Sequence, residues 1–219
     1  ANFDDVKYNS SGLMTACGDN IRKIVVQDGV TYLGANLVRN TKNVVVEIPA
    51  SVIEMNIGND AYSTFGNSYY AYTDGVQSVA NVAKIIVDEN NPNFKVVDGV
   101  LFSKDGETLY RYTDEAAADY VVPGGVKIIS DKAFSRSVKL TSVTIPEGVT
   151  YIGRDCFDKS YNLSGTMVIP ASVKTLGSAA FSQLPNLAGI EFKATDLTDY
   201  HPLRSNTNPP STSIRTVTF

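Results

Sequence analysis

Apolar residues recur along the chain in short alternating sets. Ile21/Ile24/Val26, Val82/Ile85/Val87, Leu140/Val143/Ile145, Leu187/Ile190/Phe192 and Ile214/Val217/Phe219 all fit the spacing L-x-x-L-x-L. The x-L-x-L part alternates as a half-buried strand does. In four copies a proline follows or ends the set, and its missing N–H stops the strand. A polar turn and a second apolar pair such as Val149/Ile152 come next. Each copy then closes on a small residue and an aromatic: Ala61–Tyr62, Ala133–Phe134, Cys156–Phe157 and Ala180–Phe181. These closing pieces are too short for full helices and read as single turns or 3-10 segments.

The copies keep a constant length. VVPGGVKIISDKAF (121–134), TIPEGVTYIGRDCF (144–157) and VIPASVKTLGSAAF (168–181) place apolar residues in the same slots. Pro123, Pro146 and Pro170 lie 23 and 24 residues apart, and so do Phe134, Phe157 and Phe181. An earlier copy, IPASVIEMNIGNDAY (48–62), carries Pro49 and ends in Tyr62. From its Ile57 to Ile129 is 72 residues, three periods of 24. The first copy, IRKIVVQDGVTYLG (21–34), has Gln27 in the proline slot and no closing aromatic. Such a period falls in the leucine-rich-repeat range, in which coils bury their apolar faces by stacking. The expected architecture is a leucine-rich-repeat solenoid. Short parallel strands form one face, turns with short helical or 3-10 pieces form the other, and a β-hairpin is inserted. Residues 1–20 read as a tether and cap, 21–192 as the solenoid with inserts at about 63–81 and 91–112, and 193–219 as a polar loop and capping strand.

The motif I-x-I-P-x-x-V-x-x-I-G-x-x-A-F resembles the BspA-type (Treponema pallidum type) leucine-rich repeats of bacterial surface proteins. The segment NPNFKVVDGVLFSKDGETLYRY (91–112) resembles that family's recurring insert, so the two matches together span 21–192. There are departures. The family often places a cysteine three residues after the aromatic, where this chain has Ser137, Ser160 and Leu184. The slot of the asparagine ladder holds Gly29, Ser51, Gly125, Gly148 and Ser172, so stapling by stacked asparagines is not expected. The resemblance implies a secreted or surface-anchored bacterial protein used in adhesion or protein binding, with a host or bacterial surface protein or a matrix component as partner.

Partner contact is expected in two places. The middle residue of each strand points away from the core, giving a column of Val25, Glu47, Ile86, Val121, Thr144, Val168, Glu191 and Thr218. Ile86 and Val121 are either covered by an insert or form an exposed apolar stripe. The insert at about 63–81 clusters Phe65, Tyr69, Tyr70 and Tyr72. It reads as a tyrosine contact patch or as a lid packing its aromatics on the stack. The candidate partner-binding residues are Tyr69, Tyr70, Tyr72, Ile86, Val121, Thr144 and Glu191. The 91–112 insert reads as a hairpin around Lys104–Asp105–Gly106, either an edge for partner pairing or an extension of the solenoid.

Charge and composition narrow this further. The net charge is −4 and the sequence pI about 5.0, with no basic block, which excludes a phosphate-backbone partner. No apolar run nears the roughly 20 residues of a membrane span. The chain starts on Ala1 with the polar run ANFDDVKYNSS, and a removed signal peptide is the expectation. Cys17 and Cys156 sit about five coils apart, on the order of 24 Å at strand spacing, too far to pair within one chain. Cys156 fills the small-residue slot and reads as core, while His201 reads as a solvated loop side chain. No triad, P-loop, HExxH, CxxC or dinucleotide fingerprint is present. The expectation is a monomeric, non-enzymatic module with no cofactor and no metal. It acts as a secreted or cell-surface binding module or, alternatively, as a non-binding scaffold or spacer in a larger surface protein.

Overall fold

The computed structural model describes residues 21–34, 37–38, 43–56, 64–65, 72–73, 76–77, 82–195, 197–199 and 216–218. Each repeat forms one coil with two strands. The first strand of each coil belongs to the front ladder. Its members are β1 (Lys23–Val25), β3 (Val44–Ile48), β7 (Val82–Val87), β11 (Asp119–Val121), β13 (Ser142–Thr144), β15 (Gly165–Ile169), β17 (Leu187–Phe192) and β19 (Thr216–Thr218). All pairings within this ladder are parallel, and it divides into β1-β3-β7, β11-β13 and β15-β17-β19.

The register is the one the alternation demands. Ile24 pairs with Val46 and Val46 with Ile85, Tyr120 pairs with Val143, and Met167 pairs with Ile190, which pairs with Val217. Their neighbours Val25, Glu47 and Ile86 form one outward row, Val121 and Thr144 another, and Val168, Glu191 and Thr218 a third.

The opposite side differs from expectation. Among the described residues it holds no helix and no 3-10 piece. A second ladder of two-residue strands runs there instead: β2 (Tyr32–Leu33), β4 (Glu54–Met55), β12 (Ile128–Ile129), β14 (Tyr151–Ile152), β16 (Thr175–Leu176) and β18 (Thr198–Asp199). Tight turns follow β12, β14 and β16. Lys132, Asp155 and Ala179 have φ of 58°, 50° and 57°, and Arg136, Lys159 and Gln183 have 60°, 60° and 54°. The left-handed residues break the helix before it completes a turn and free alternate amides. Phe134 N–H therefore donates to Cys156 C=O of the next coil, and Phe157 N–H to Ala180 C=O, both at 2.9 Å.

Close stacking explains the glycine of this turn. A Cβ on Gly153 would lie 2.3 Å from Asp131 N, and one on Gly177 2.2 Å from Arg154 N. Only a residue without a side chain lets the coils approach this closely.

The second insert is a meander, not a simple hairpin. β8 (Phe94–Val97), β9 (Val100–Ser103) and β10 (Thr108–Tyr112) pair antiparallel, and β10 then pairs β12 in parallel. The meander thus opens the second ladder of the later coils. Its two faces serve two separate cores. Phe94 and Leu101 are buried with Leu33, Val46 and Ile85, while Val100, Phe102, Leu109 and Tyr112 are buried with Phe134, Phe157 and Phe181. The sheet is a wall between an amino-terminal and a carboxyl-terminal core. Within the first insert, β5 (Tyr72–Thr73) and β6 (Val76–Gln77) form a separate antiparallel pair.

Side-chain stapling exists, contrary to expectation, but at other positions than the usual ladder. Asn162 Nδ2 donates to Val138 C=O at 2.6 Å and Asn186 Nδ2 to Tyr161 C=O at 2.7 Å. Buried Asn91 donates to the carbonyls of Pro49 and Val52, and its Oδ1 accepts from the amides of Asn93 and Phe94. In the ladder slot itself, serines substitute: Gly29 N–H donates to Ser51 Oγ and Gly148 N–H to Ser172 Oγ, both at 2.9 Å.

The closing pair of the second coil also moves. Val38 N–H donates to Thr64 C=O, as Phe134 N–H does to Cys156 C=O one block later. Thr64 and Phe65, both buried, therefore stand where the sequence pointed to Ala61 and Tyr62. The insert begins after Phe65, and this first aromatic of the insert belongs to the core. Tyr62 lies outside the described residues.

Candidate interaction face

The front ladder presents three outward rows, and their burial decides what they offer. Val25, Ile86 and Val121 are 49%, 39% and 65% exposed, so no insert among the described residues covers Ile86 or Val121. Of the two readings for these side chains, the exposed apolar stripe is the one observed. Thr144 is exposed and Glu191 half-buried. Tyr69 and Tyr70 lie outside the described residues. Tyr72 is placed by its backbone alone, pairing with Gln77.

Polar groups frame the apolar ones. Lys23 Nζ lies 2.7 Å from Glu47 Oε1, across neighbouring strands. Asp119 accepts hydrogen bonds from the hydroxyls of Ser142 and Thr141, which hold its carboxyl below the ordinary range. Lys84 Nζ meets Glu115 Oε1 at 2.5 Å, bridging from β7 to the segment before β11. Here the front ladder is open: β7 and β11 do not pair, and a cleft of about 500 Å³ lies between β7, the turn from β8 to β9 and the segment before β11. A second cleft, about 770 Å³, lies on the opposite side between β4 and the meander, lined by Met55, Phe94 and Tyr110 among others.

The turn side carries charge in a half-buried setting. Burial, followed by the neighbouring Asp158 carboxylate, pushes the Asp155 carboxyl up to about 6. Burial likewise raises Asp158 and lowers Lys132 and Lys159. Cys156 is free and buried, and burial pushes its thiol well above the ordinary value, so the reactive thiolate is suppressed. Cys17 and His201 lie outside the described residues. Among the described residues no three His, Cys, Asp or Glu side chains are grouped to hold a metal ion. No helix there is long and apolar enough to cross a membrane.

One residue escaped sequence reasoning altogether. Arg111, in β10, is buried between the two cores. Its Nη1 donates to Lys132 C=O at 2.6 Å and its Nη2 to Ser135 C=O at 3.0 Å. In the next coil the carbonyl equivalent to Ser135 is that of Asp158, which accepts from the amide of Arg136. Arg111 therefore supplies with a side chain the donor that a preceding coil would supply with its backbone. Burial pulls its pKa down to about 10.

Stacked parallel coils of this period, with a strand in every coil and an aromatic closing each later one, define a leucine-rich-repeat solenoid. Residues 109–202 match the BspA type leucine rich repeat region in six copies, and over that stretch the chain is similar to that family. No curated protein matches the chain.

Solved structures resemble it in fold. A leucine-rich repeat protein from Eubacterium ventriosum shares 22% identity with a TM-score of 0.69, covering 90% of this chain and 47% of its own. The pneumococcal vaccine antigen PcpA shares 20% identity with a TM-score of 0.53, covering 74% of this chain and 42% of its own. A leucine rich cell surface protein from Faecalibacterium prausnitzii shares 17% identity with a TM-score of 0.53, covering 91% of this chain and 60% of its own. This chain thus spans about half the length of the solved relatives.

Proposed function

We propose that the chain is a secreted or cell-surface binding module that engages a protein or matrix partner through the front ladder. The observation that carries this reading is that Ile86 and Val121, outward residues of successive segments of the front ladder, stand exposed, with exposed Thr144 paired beside Val121. Side chains this apolar on a flat, repeated surface favour contact with another macromolecule over plain solvation. The partner class, a host or bacterial surface protein or a matrix component, is supported by a family of surface proteins and by a solved neighbour described as a cell surface protein. Adhesion and monomeric state belong to the same proposal, as does a contact role for Tyr69, Tyr70 and Tyr72.

The test is binding to an array of matrix proteins and glycans, repeated with Val121→Arg and Thr144→Arg, both on an exposed face that folding does not need. Binding should fall by about tenfold or more. Array binding that survives both changes would remove the front ladder from consideration. A parallel variant with Tyr69, Tyr70 and Tyr72 changed to Ser reports separately on the loop. No binding by the unaltered protein would favour the spacer reading.

A further inference from the structure

We propose that the cleft between β7 and the segment before β11 accepts an extended, basic peptide segment, which adds to β7 as a further strand. This rests on the front ladder being the partner-binding face, and it names where on that face the partner enters and what it presents.

The backbone comes first. Asp88 N–H donates to Ile48 C=O, while Ile48 pairs in register with Val87. In a parallel ladder alternate residues bond to opposite sides, so the amides and carbonyls of Ile85 and Val87 turn away from β3. On that side Val82 C=O accepts from Asp114 N–H at 3.3 Å. Among the described residues no backbone group bonds Ile85 or Val87 there. Ile85 lines the cleft although it is only 1% exposed and its side chain is in the core, so it contributes its main-chain edge. A strand edge left open beside a cleft is a template for pairing, and an added strand supplies its partners.

The side chains then select the occupant. Ile86, Val96 and Ala117 supply an apolar lining. Asp98 and Glu115 supply two carboxylates against the single cation Lys84, which Glu115 already pairs. Asp114 and Asp119 lie in the bordering segment, so the rim carries a negative excess. Asp98 sits in a tight turn at φ 48°, followed by Gly99 at 77°, which holds the carboxylate at the cleft. The matching ligand is a strand alternating aliphatic and basic side chains. A volume of about 500 Å³ suits a short peptide stretch.

The experiment uses the full chain labelled with nitrogen-15 and the capped heptapeptide Thr-Val-Lys-Val-Lys-Val-Thr. Binding should shift the amide resonances of Ile85 and Val87 and slow their hydrogen exchange. Replacing the two peptide lysines by glutamates should weaken binding by about tenfold or more. N-methylation at alternate peptide residues should abolish it, because it removes the main-chain donors. Ile86→Thr and Asp98→Asn, both exposed and compatible with their backbone geometry, should each weaken it by about three- to tenfold. Val121 does not line the cleft, so Val121→Arg should cut array binding by about tenfold or more while the peptide still shifts the Ile85 and Val87 amides, which separates a failed cleft from a failed face. The proposal is overturned by binding that tolerates N-methylation, or by no binding at millimolar peptide. Amides of Ile85 and Val87 already protected in the free protein would overturn it too, since the edge would then be occupied from within.

Discussion

The carboxyl-terminal coils close on Phe134, Phe157 and Phe181, whose rings stack at 5.1 and 5.7 Å with interplanar angles of 10° and 6°. The amino-terminal coils close on Val38 and Phe65, both buried, and among the described residues no aromatic column joins them. The backbone plan is shared; the filling is not. In the later coils one ring sits on the next, so each coil fixes the spacing of its neighbour. In the earlier coils, the core is mostly aliphatic around Phe65 and Phe94, and an insert begins at once after Phe65. The repeat match covers 109–202, the stacked block, although parallel front pairing already begins at Ile24 and Val46. A periodic core therefore depends less on the strand than on what closes the coil.

The largest expected effect breaks the stacked column. Phe157→Ala should destabilise the fold by about 4 kcal/mol, the usual range for a fully buried aromatic plus its cavity. Val38→Ala should cost about 2 kcal/mol, since two fewer methyl groups leave a smaller void. Urea unfolding of both variants measures the difference. Equal losses would show that the aromatic column adds nothing beyond ordinary burial.

Next comes the joint between the blocks. Arg111→Lys should cost about 3 kcal/mol, because an ammonium cannot span Lys132 C=O and Ser135 C=O and is harder to desolvate. Arg111→Met should cost less. It leaves the Ser135 carbonyl without its donor but also removes a buried cation whose Nε has no partner. A methionine variant as stable as the native arginine would contradict the capping role.

Within the later block, Asp155 makes stability depend on pH. Its folded pKa, about 6, lies above the ordinary carboxyl value, so the folded state holds the proton more tightly. The destabilising term is absent below about pH 4, grows between about pH 4 and 6, and is fully present above. Asp155→Asn should therefore raise stability by about 2 kcal/mol at pH 7 and leave it unchanged at pH 4. Asparagine also suits the φ of 50° at this position. Thermal melts at the two pH values check it; equal gains at both would point to backbone relief instead of ionisation.

How much of this was legible in the sequence follows from which features are periodic. The outward row from Val25 to Thr218 was read residue by residue, because a strand alternates with period two and the coils with period 23–24. The second ladder was not, because a strand of two residues has no alternation to detect. Thr64–Phe65 were hidden for a similar reason: the matching motif IGNDAY precedes them, and only the hydrogen bond from Val38 shows which pair closes the coil. An arginine in an alternating strand such as TLYRY reads as solvent-facing. Arg111 is buried because β10 has a core on each side, a fact of tertiary structure. The apolar candidates Ile86 and Val121 were read as either covered or exposed, and only coordinates decide that.

The smallest expected effect lies at the same joint, on its outer surface. Lys84 and Glu115 bridge the open front ladder, but each side chain is 42% exposed. Water screens such a pair, and holding two long side chains together costs entropy. A double-mutant cycle of Lys84→Ala and Glu115→Ala should therefore give a coupling of about 0.5 kcal/mol or less, shrinking further at high salt. The inner bond made by Arg111 and the outer one made by Lys84 span the same boundary between blocks, yet differ severalfold in expected weight because one is dry and the other wet. A coupling above about 1.5 kcal/mol would mean that the front gap is closed more tightly than its exposure implies, and the cleft beside it would then be a seam within the fold instead of an entry point.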